Sequence, residues 1–217
     1  MQIKSFVIER LTLPDEDPNW KFAGQAYPTN DACLLALTAE DGTQGWGYAA
    51  AFPHLAATAQ GMEGALQRMC ATLVGQDAMA IEANWARVDA ALVGNNPAKA
   101  AIDCALHDLK ARLLGVPLYD LLGGKVTDRI PICRMLGLKT PAEMAERAQR
   151  LVDQGYRYLK LKVAGDVRDD IERLRAVRRQ VGHEVRLVAD PNQSYRVKDA
   201  IMFAERAKEF AVDIIEQ

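Results

Sequence analysis

The chain has 217 residues, 49% hydrophobic and 26% charged, with a formal net charge of -2 and an isoelectric point of about 6.0. That balance suits a globular protein of one large or two small domains. It carries no basic stripe interleaved with aromatics, so nucleic acid is excluded as the expected partner; its apolar runs are far too short to span a membrane, and its first residues do not read as a signal peptide. Four scattered cysteines, Cys33, Cys70, Cys104 and Cys133, form no Cys-x-x-Cys pair, which points to a reduced, cytoplasmic protein without thiolate-metal chemistry.

The first third reads as strands. Residues 3–13 mix apolar and polar side chains and break at Pro14. Residues 15–30 are rich in proline, glycine and acids and read as a long loop, and loops of that length are often functional. Its aromatics Trp20, Phe22 and Tyr27 are candidates to touch a substrate. Residues 32–38 and 44–49 form a strand pair around the Asp41-Gly42 turn. Helical periodicity follows over residues 50–95, with Leu66, Met69, Leu73 and Val74 sharing one face. In the next helix Ile102, Ala105, Leu106, Leu109 and Leu113 form a stripe, and Cys104 reads as a small core residue within it. Gly115 and Pro117 end that helix, and a short helix covers residues 118–124.

From Arg129 the rhythm changes to strand and helix in alternation: strands at residues 130–136, 158–163, 185–190 and 212–216, with helices at 141–154, 167–181 and 197–210 between them. Such alternation predicts a parallel sheet with helical crossovers. Arg134, Lys162, Asp190 and Glu216 recur at spacings of 28, 28 and 26 residues, near the ends of four consecutive strands. In a parallel β/α barrel those ends carry the chemistry. No Gly-x-Gly-x-x-Gly follows a strand, which argues against dinucleotide binding.

The strand Tyr-Leu-Lys-Leu-Lys-Val puts Lys160 and Lys162 on one face and Leu159, Leu161 and Val163 on the other. Two inward-facing ammonium groups need partners, and each lowers the pKa of the other, which suits a lysine base. A solvated edge strand is the bland alternative. Asp190 and Glu216 at matched positions suit an oxygen-ligand metal site, favouring Mg²⁺ (or Mn²⁺) over zinc. Asn192 could face the same way as Asp190. Arg134 could meet a substrate carboxylate or stand as a solvated strand end, and His54 falls in a loop after Phe52-Pro53.

The Lys-Leu-Lys strand, Asp-Pro-Asn-Gln one unit later and Ile-Ile-Glu-Gln a further unit on resemble the enolase superfamily, above all the muconate-lactonizing branch of the mandelate racemase/muconate lactonizing enzyme family. The segments DGTQGWG and AIDCALHDLKARLLGVPLYDLLGG resemble that family's capping-domain hairpin and the helix pair leading into its barrel. The resemblance implies an α/β fold with an α+β capping domain over residues 1–125, followed over residues 126–217 by the first four strands of a TIM-type barrel. It implies Lys162 as the base that removes a proton α to a carboxylate, Lys160 as the lysine tuning it and contacting the substrate, Asp190 and Glu216 as two of three ligands of a Mg²⁺ that stabilises an enediolate, and Asn192 beside the first. Tyr48 stands where many relatives have glutamate, so substrate choice is expected to rest on Tyr48, His54 and the Trp20–Tyr27 loop.

Four strands cannot close an eight-stranded barrel, so the sequence is expected to be a fragment, inactive alone, of a homo-oligomeric isomerase acting on a small carboxylate: a racemase, epimerase or cycloisomerase. The alternatives are a dehydratase of acid sugars or hydroxy acids in the same superfamily, a Schiff-base lyase using Lys162, and a non-catalytic relative.

Overall fold

The computed structural model of the chain describes residues 1–14, 21–22, 25–26, 29–52, 57–163 and 165–216, with residues 21–22 and 25–26 as backbone only. By its internal contacts the chain divides into two compact units, Met1–Pro14 with Thr29–Asp128, and Arg129–Gln217 with Asp15–Pro28.

The first unit is built on three antiparallel strands, β1 (Ile3–Pro14), β4 (Thr29–Ala39) and β5 (Gln44–Ala50), with β4 in the middle. Within the segment expected to be a loop, β2 (Lys21–Phe22) and β3 (Gln25–Ala26) pair antiparallel. The sheet covers itself with α1 (Ala59–Cys70), α2 (Ile81–Ala91) and α3 (Asn96–Leu114). Alternation decides which face is covered: Cys33, Leu35 and Leu37 are buried with Leu66, Met69, Ile102, Leu106 and Leu109 in one core. Strand β5 approaches α3 so closely that a Cβ at Gly47 would overlap the carbonyl of Ala101. Gly115 caps α3 in the left-handed conformation, and α4 (Leu118–Leu121) follows.

Two packing expectations are corrected here. Val74 is 44% exposed and does not join Leu66, Met69 and Leu73. Cys104 is exposed; two residues along a helix from Ile102 it points about 200° away from the buried stripe.

The second unit is a parallel sheet in the order β6 (Cys133–Leu136), β7 (Tyr158–Lys162), β8 (Arg186–Asp190) and β9 (Val212–Ile215), joined by α5 (Pro141–Asp153), α6 (Val167–Val181) and α7 (Val197–Ala207). Strand β6 starts three residues later than the periodicity suggests, because Pro131 cannot donate to a ladder. Thr140 and Glu143 close a capping box at the start of α5, and Asp166 accepts the backbone N–H of Arg168 and Asp169 at the start of α6. Leu159, Leu161, Leu187 and Ala189 pack with Met144, Leu151, Leu174 and Phe203 in a second core. At the opposite ends of the strands from the lysines, buried Arg178 donates to the carbonyls of Phe210, Gly182, Val185 and Ala211.

Candidate active site

Strand β7 pairs with β6 on one side and β8 on the other, so its lysines stand inside the sheet and not on an edge. Leu159, Leu161 and Val163 are buried against the helices, which leaves Lys160 and Lys162 on the opposite face. Lys162 aligns with Asp190 across the β7–β8 ladder. Glu216 arrives at the same level by a different route. Strand β9 carries one extra residue, Asp213, between the partners of Leu187 and Val188, and its carboxylate accepts the N–H of Leu187 at 3.0 Å. That bulge shifts the register so that Glu216, whose N–H donates to Ala189 O at 2.9 Å, follows Ile215 beside Asp190.

The charged groups converge. Lys162 Nζ donates to Asp190 Oδ2 at 2.6 Å and to Asn192 Oδ1 at 2.7 Å. Lys160 Nζ lies 2.8 Å from Asp190 Oδ2 and 2.8 Å from Glu216 Oε2. Asn192 N–H donates to Asp190 Oδ1 at 2.9 Å. Lys162 is 6% and Asp190 1% exposed, while Glu216 reaches into solvent. Burial alone would raise the pKa of Asp190, but hydrogen bonds from Lys160, Lys162 and the Asn192 N–H outweigh it and hold the carboxyl below its ordinary value. Burial likewise works to lower the pKa of Lys160, and its bonds to Asp190 and Glu216 overcome that and raise it. The expectation of two mutually depressed ammonium groups is therefore corrected for Lys160: the carboxylates neutralise the repulsion.

The donor set fits a hard cation. Two carboxylates meet at one point now held by the Lys160 ammonium, and the Cys133 thiol on the neighbouring strand is close enough to feel both Lys160 and Glu216. Among the described residues no group of three or more acidic, histidine or cysteine side chains gathers at one point.

Arg134 does not belong to this cluster. It aligns with Leu159, whereas Met135 aligns with Lys160, so Arg134 points to the helix face and its guanidinium lies 5.3 Å over the ring of Tyr156. The regular spacing misled because Leu136, not Arg134, aligns with Leu161 beside Lys162. Tyr48 lies in the first unit, 46% exposed on the outer face of the sheet. Trp20, Tyr27 and His54 lie outside the described residues, as does the side chain of Phe22. Asp108 accepts the N–H of Trp46 at 2.9 Å and so ties α3 to β5. Asp170 carries no sequence signal of burial: it sits in the charged run Arg168–Arg175, the pattern of a solvated helix face, yet it is 0% exposed.

Residues 8–123 match the mandelate racemase / muconate lactonizing enzyme N-terminal domain, and residues 143–217 match the enolase C-terminal domain-like family. The chain belongs to the mandelate racemase/muconate lactonizing enzyme family of the enolase superfamily. It has that family's architecture, a capping domain followed by the first four strands of a β/α barrel. Among curated members it is similar to an L-Ala-D/L-Glu epimerase of Clostridium acetobutylicum, 34% identical over 93% of this chain and 56% of that one. Among solved structures it resembles the N-succinyl Arg/Lys racemase of Bacillus cereus, with a TM-score of 0.95 and 27% identity over 100% of this chain and 59% of that one. It also resembles the dipeptide epimerase of Enterococcus faecalis complexed with Mg and the dipeptide L-Leu-L-Tyr, with a TM-score of 0.94 and 28% identity over 100% of this chain and 61% of that one. The family members it matches include epimerases, racemases and a muconate cycloisomerase. The chain spans about three-fifths of the length of these relatives. No described helix is long and apolar enough to cross a membrane.

Proposed function

We propose that the protein containing this chain is a cytoplasmic, Mg²⁺-dependent racemase or epimerase that removes and returns the proton α to a carboxylate of a small amino-acid derivative, with residues 1–125 as its capping domain and 126–217 as part of its barrel. The observation that carries this reading is the convergence of Lys160, Lys162, Asp190 and Glu216 at one point of the sheet face. Asp190 and Glu216 would hold the metal, whose positive charge stabilises negative charge developing on the substrate carboxylate.

The chain's own residues do the rest. Lys162 takes the α-proton on Nζ, and Asp190 and Asn192 aim that atom through their hydrogen bonds of 2.6 and 2.7 Å. Lys160, one residue pair nearer the start of the strand, meets the substrate carboxylate with its ammonium. The bond electrons left on the α-carbon spread into the carboxylate as an enediolate, and return of a proton to the carbon completes the turnover. An amino-acid derivative as substrate is supported by the dipeptide bound to the Enterococcus faecalis relative and by the epimerases and racemases among the others.

A second reading shares the first step. A cis-3-hydroxy-L-proline dehydratase of Roseibium aggregatum is 32% identical over 92% of this chain, and loss of a β-hydroxyl after the same proton abstraction makes that reaction. The test is proton NMR in D₂O with Mg²⁺ and a panel of dipeptides and N-acylated amino acids. Loss of the α-proton signal with the opposite stereoisomer appearing supports racemisation, and an alkene product supports dehydration. A protein that binds Mg²⁺ yet exchanges no α-proton sinks both, and borohydride trapping of substrate on Lys162 would instead establish a Schiff-base lyase.

A further inference from the structure

Among the described residues, Asp170 is the buried carboxylate of the second unit that the proposed reaction does not use. Its Oδ2 accepts the hydroxyl of Tyr195 at 2.7 Å and the N–H of Gly165 at 3.0 Å, and its Oδ1 accepts Arg173 Nη1 at 2.7 Å. Arg173 Nε in turn donates to Lys139 O at 2.9 Å. Lys139 follows β6, Gly165 follows β7 and Tyr195 follows β8. One carboxylate therefore ties together the connections after β7 and β8, which leave the strand ends bearing Lys162 and Asp190, and through Arg173 the connection after β6. Two of these connections also touch: a Cβ at Gly165 would lie 3.2 Å from Ser194 O.

Between Asp190 and Tyr195 the backbone bends through Asn192 at φ 47° and Gln193 at φ 67°. Two consecutive residues with side chains in the left-handed region are costly, and such a bend persists only where its surroundings hold it. Here one end is held by Asp190, and the other by Tyr195, whose ring packs against Phe203 with centroids 5.3 Å apart while its hydroxyl reaches Asp170. The bend is what brings Asn192 Oδ1 to within 2.7 Å of Lys162 Nζ. Burial first, and then the Asp170 carboxylate, push the Tyr195 phenol well above its ordinary range, so its hydroxyl remains a donor.

We propose that Asp170 and Tyr195 are positioning residues for Lys162: through the strained bend at residues 192–193 they hold Asn192 against the lysine and so fix where its Nζ points. This rests on the reading of Lys162 as the α-proton base. The experiment uses Tyr195→Phe, which keeps the packed ring and removes only the hydroxyl, and compares Asp170→Ala with Asp170→Asn, in which an acceptor for Tyr195 survives. In the complete protein, Tyr195→Phe is expected to lower kcat for α-proton exchange about tenfold with KM within about twofold, because misplacing a reacting group costs rate and not binding. Asp170→Asn is expected to recover part of the rate lost in Asp170→Ala. Hydrogen exchange at the Ser194 and Gly165 amides is expected to quicken in Tyr195→Phe. A purely structural role would lower the melting temperature and the folded fraction while leaving kcat per folded molecule unchanged, and that result overturns the proposal. If the wild-type protein exchanges no α-proton, the functional reading has failed; the positioning link then stands on faster amide exchange confined to Gly165 and residues 192–196 in Tyr195→Phe, and is overturned if those amides are unaltered.

Discussion

Lys162 and Asp190 sit directly beside each other on neighbouring parallel strands, with Nζ and Oδ2 2.6 Å apart and both side chains almost fully withdrawn from solvent. Asp190 also serves Lys160, so one carboxylate answers two ammonium groups.

Asp190→Asn removes that shared counter-charge and leaves two cations facing each other. Breaking a buried pair in this way is expected to cost about 3 kcal/mol of stability in urea unfolding without metal. Calorimetric titration should show Mg²⁺ affinity falling in the same variant.

The same cluster sets a pH window. The carboxyl of Asp190 is held below its ordinary value by its hydrogen bonds against the opposing effect of burial, so its contribution is complete above about pH 4 and is lost as pH falls through the lowered value. Lys160 is raised by Asp190 and Glu216 against the same opposing effect, so its contribution is complete below about pH 10 and is lost as pH rises through the raised value. Metal-free stability is expected to hold between these limits. Lys160→Met should abolish the alkaline fall that comes from this residue and shrink the acid one, as read from thermal melts across pH.

Arg178 fills four backbone carbonyls with hydrogen bonds at the far ends of the strands. Arg178→Met keeps the bulk and strips every donor. Stranding buried carbonyls costs about 1–3 kcal/mol apiece before relaxation, so a loss of about 3 kcal/mol or more is expected in urea unfolding. Lys162 and its partners lie at the other ends, so Mg²⁺ affinity of the folded variant should stay unchanged.

Gly47→Ala tests the close approach of β5 to α3. The added methyl would overlap the Ala101 carbonyl, which is backbone and cannot swing aside. Overpacking of this kind costs about 1–3 kcal/mol. The melting temperature is expected to fall, whereas Gly64→Ala, in open space on α1, should leave it level or raise it.

The thiols should separate cleanly under a disulfide reagent at pH 8. Cys104 is exposed and is expected to react at once. Burial pushes the Cys70 thiol up to about 12, and it should react only on unfolding. Early labelling of Cys70 would show that the α1 packing is wrong.

Much of the second unit was legible because its signals are local. Alternation in Tyr-Leu-Lys-Leu-Lys-Val told the lysine face from the core face, and the structure buries Leu159 and Leu161 accordingly. In the first unit the Gly115 stop is a short-range signal of the same kind. Arg134 shows where this reasoning ends: equal spacing along the chain is not equal height in the sheet when the connecting turns differ in length.

Residue chemistry and periodicity, both properties of neighbours along the chain, settled the strand-helix alternation after residue 129 and that Lys160, Lys162, Asp190 and Glu216 stand toward the strand ends. Strand register needed the fold, because it depends on pairing between distant segments: the Asp213 bulge sets Glu216 level with Asp190, and alignment with Leu159 turns Arg134 away. Burial of Asp170 needed it too. A carboxylate within a run of arginines looks solvated until the connections carrying Gly165 and Tyr195 fold over it and supply the hydrogen bonds that offset its desolvation.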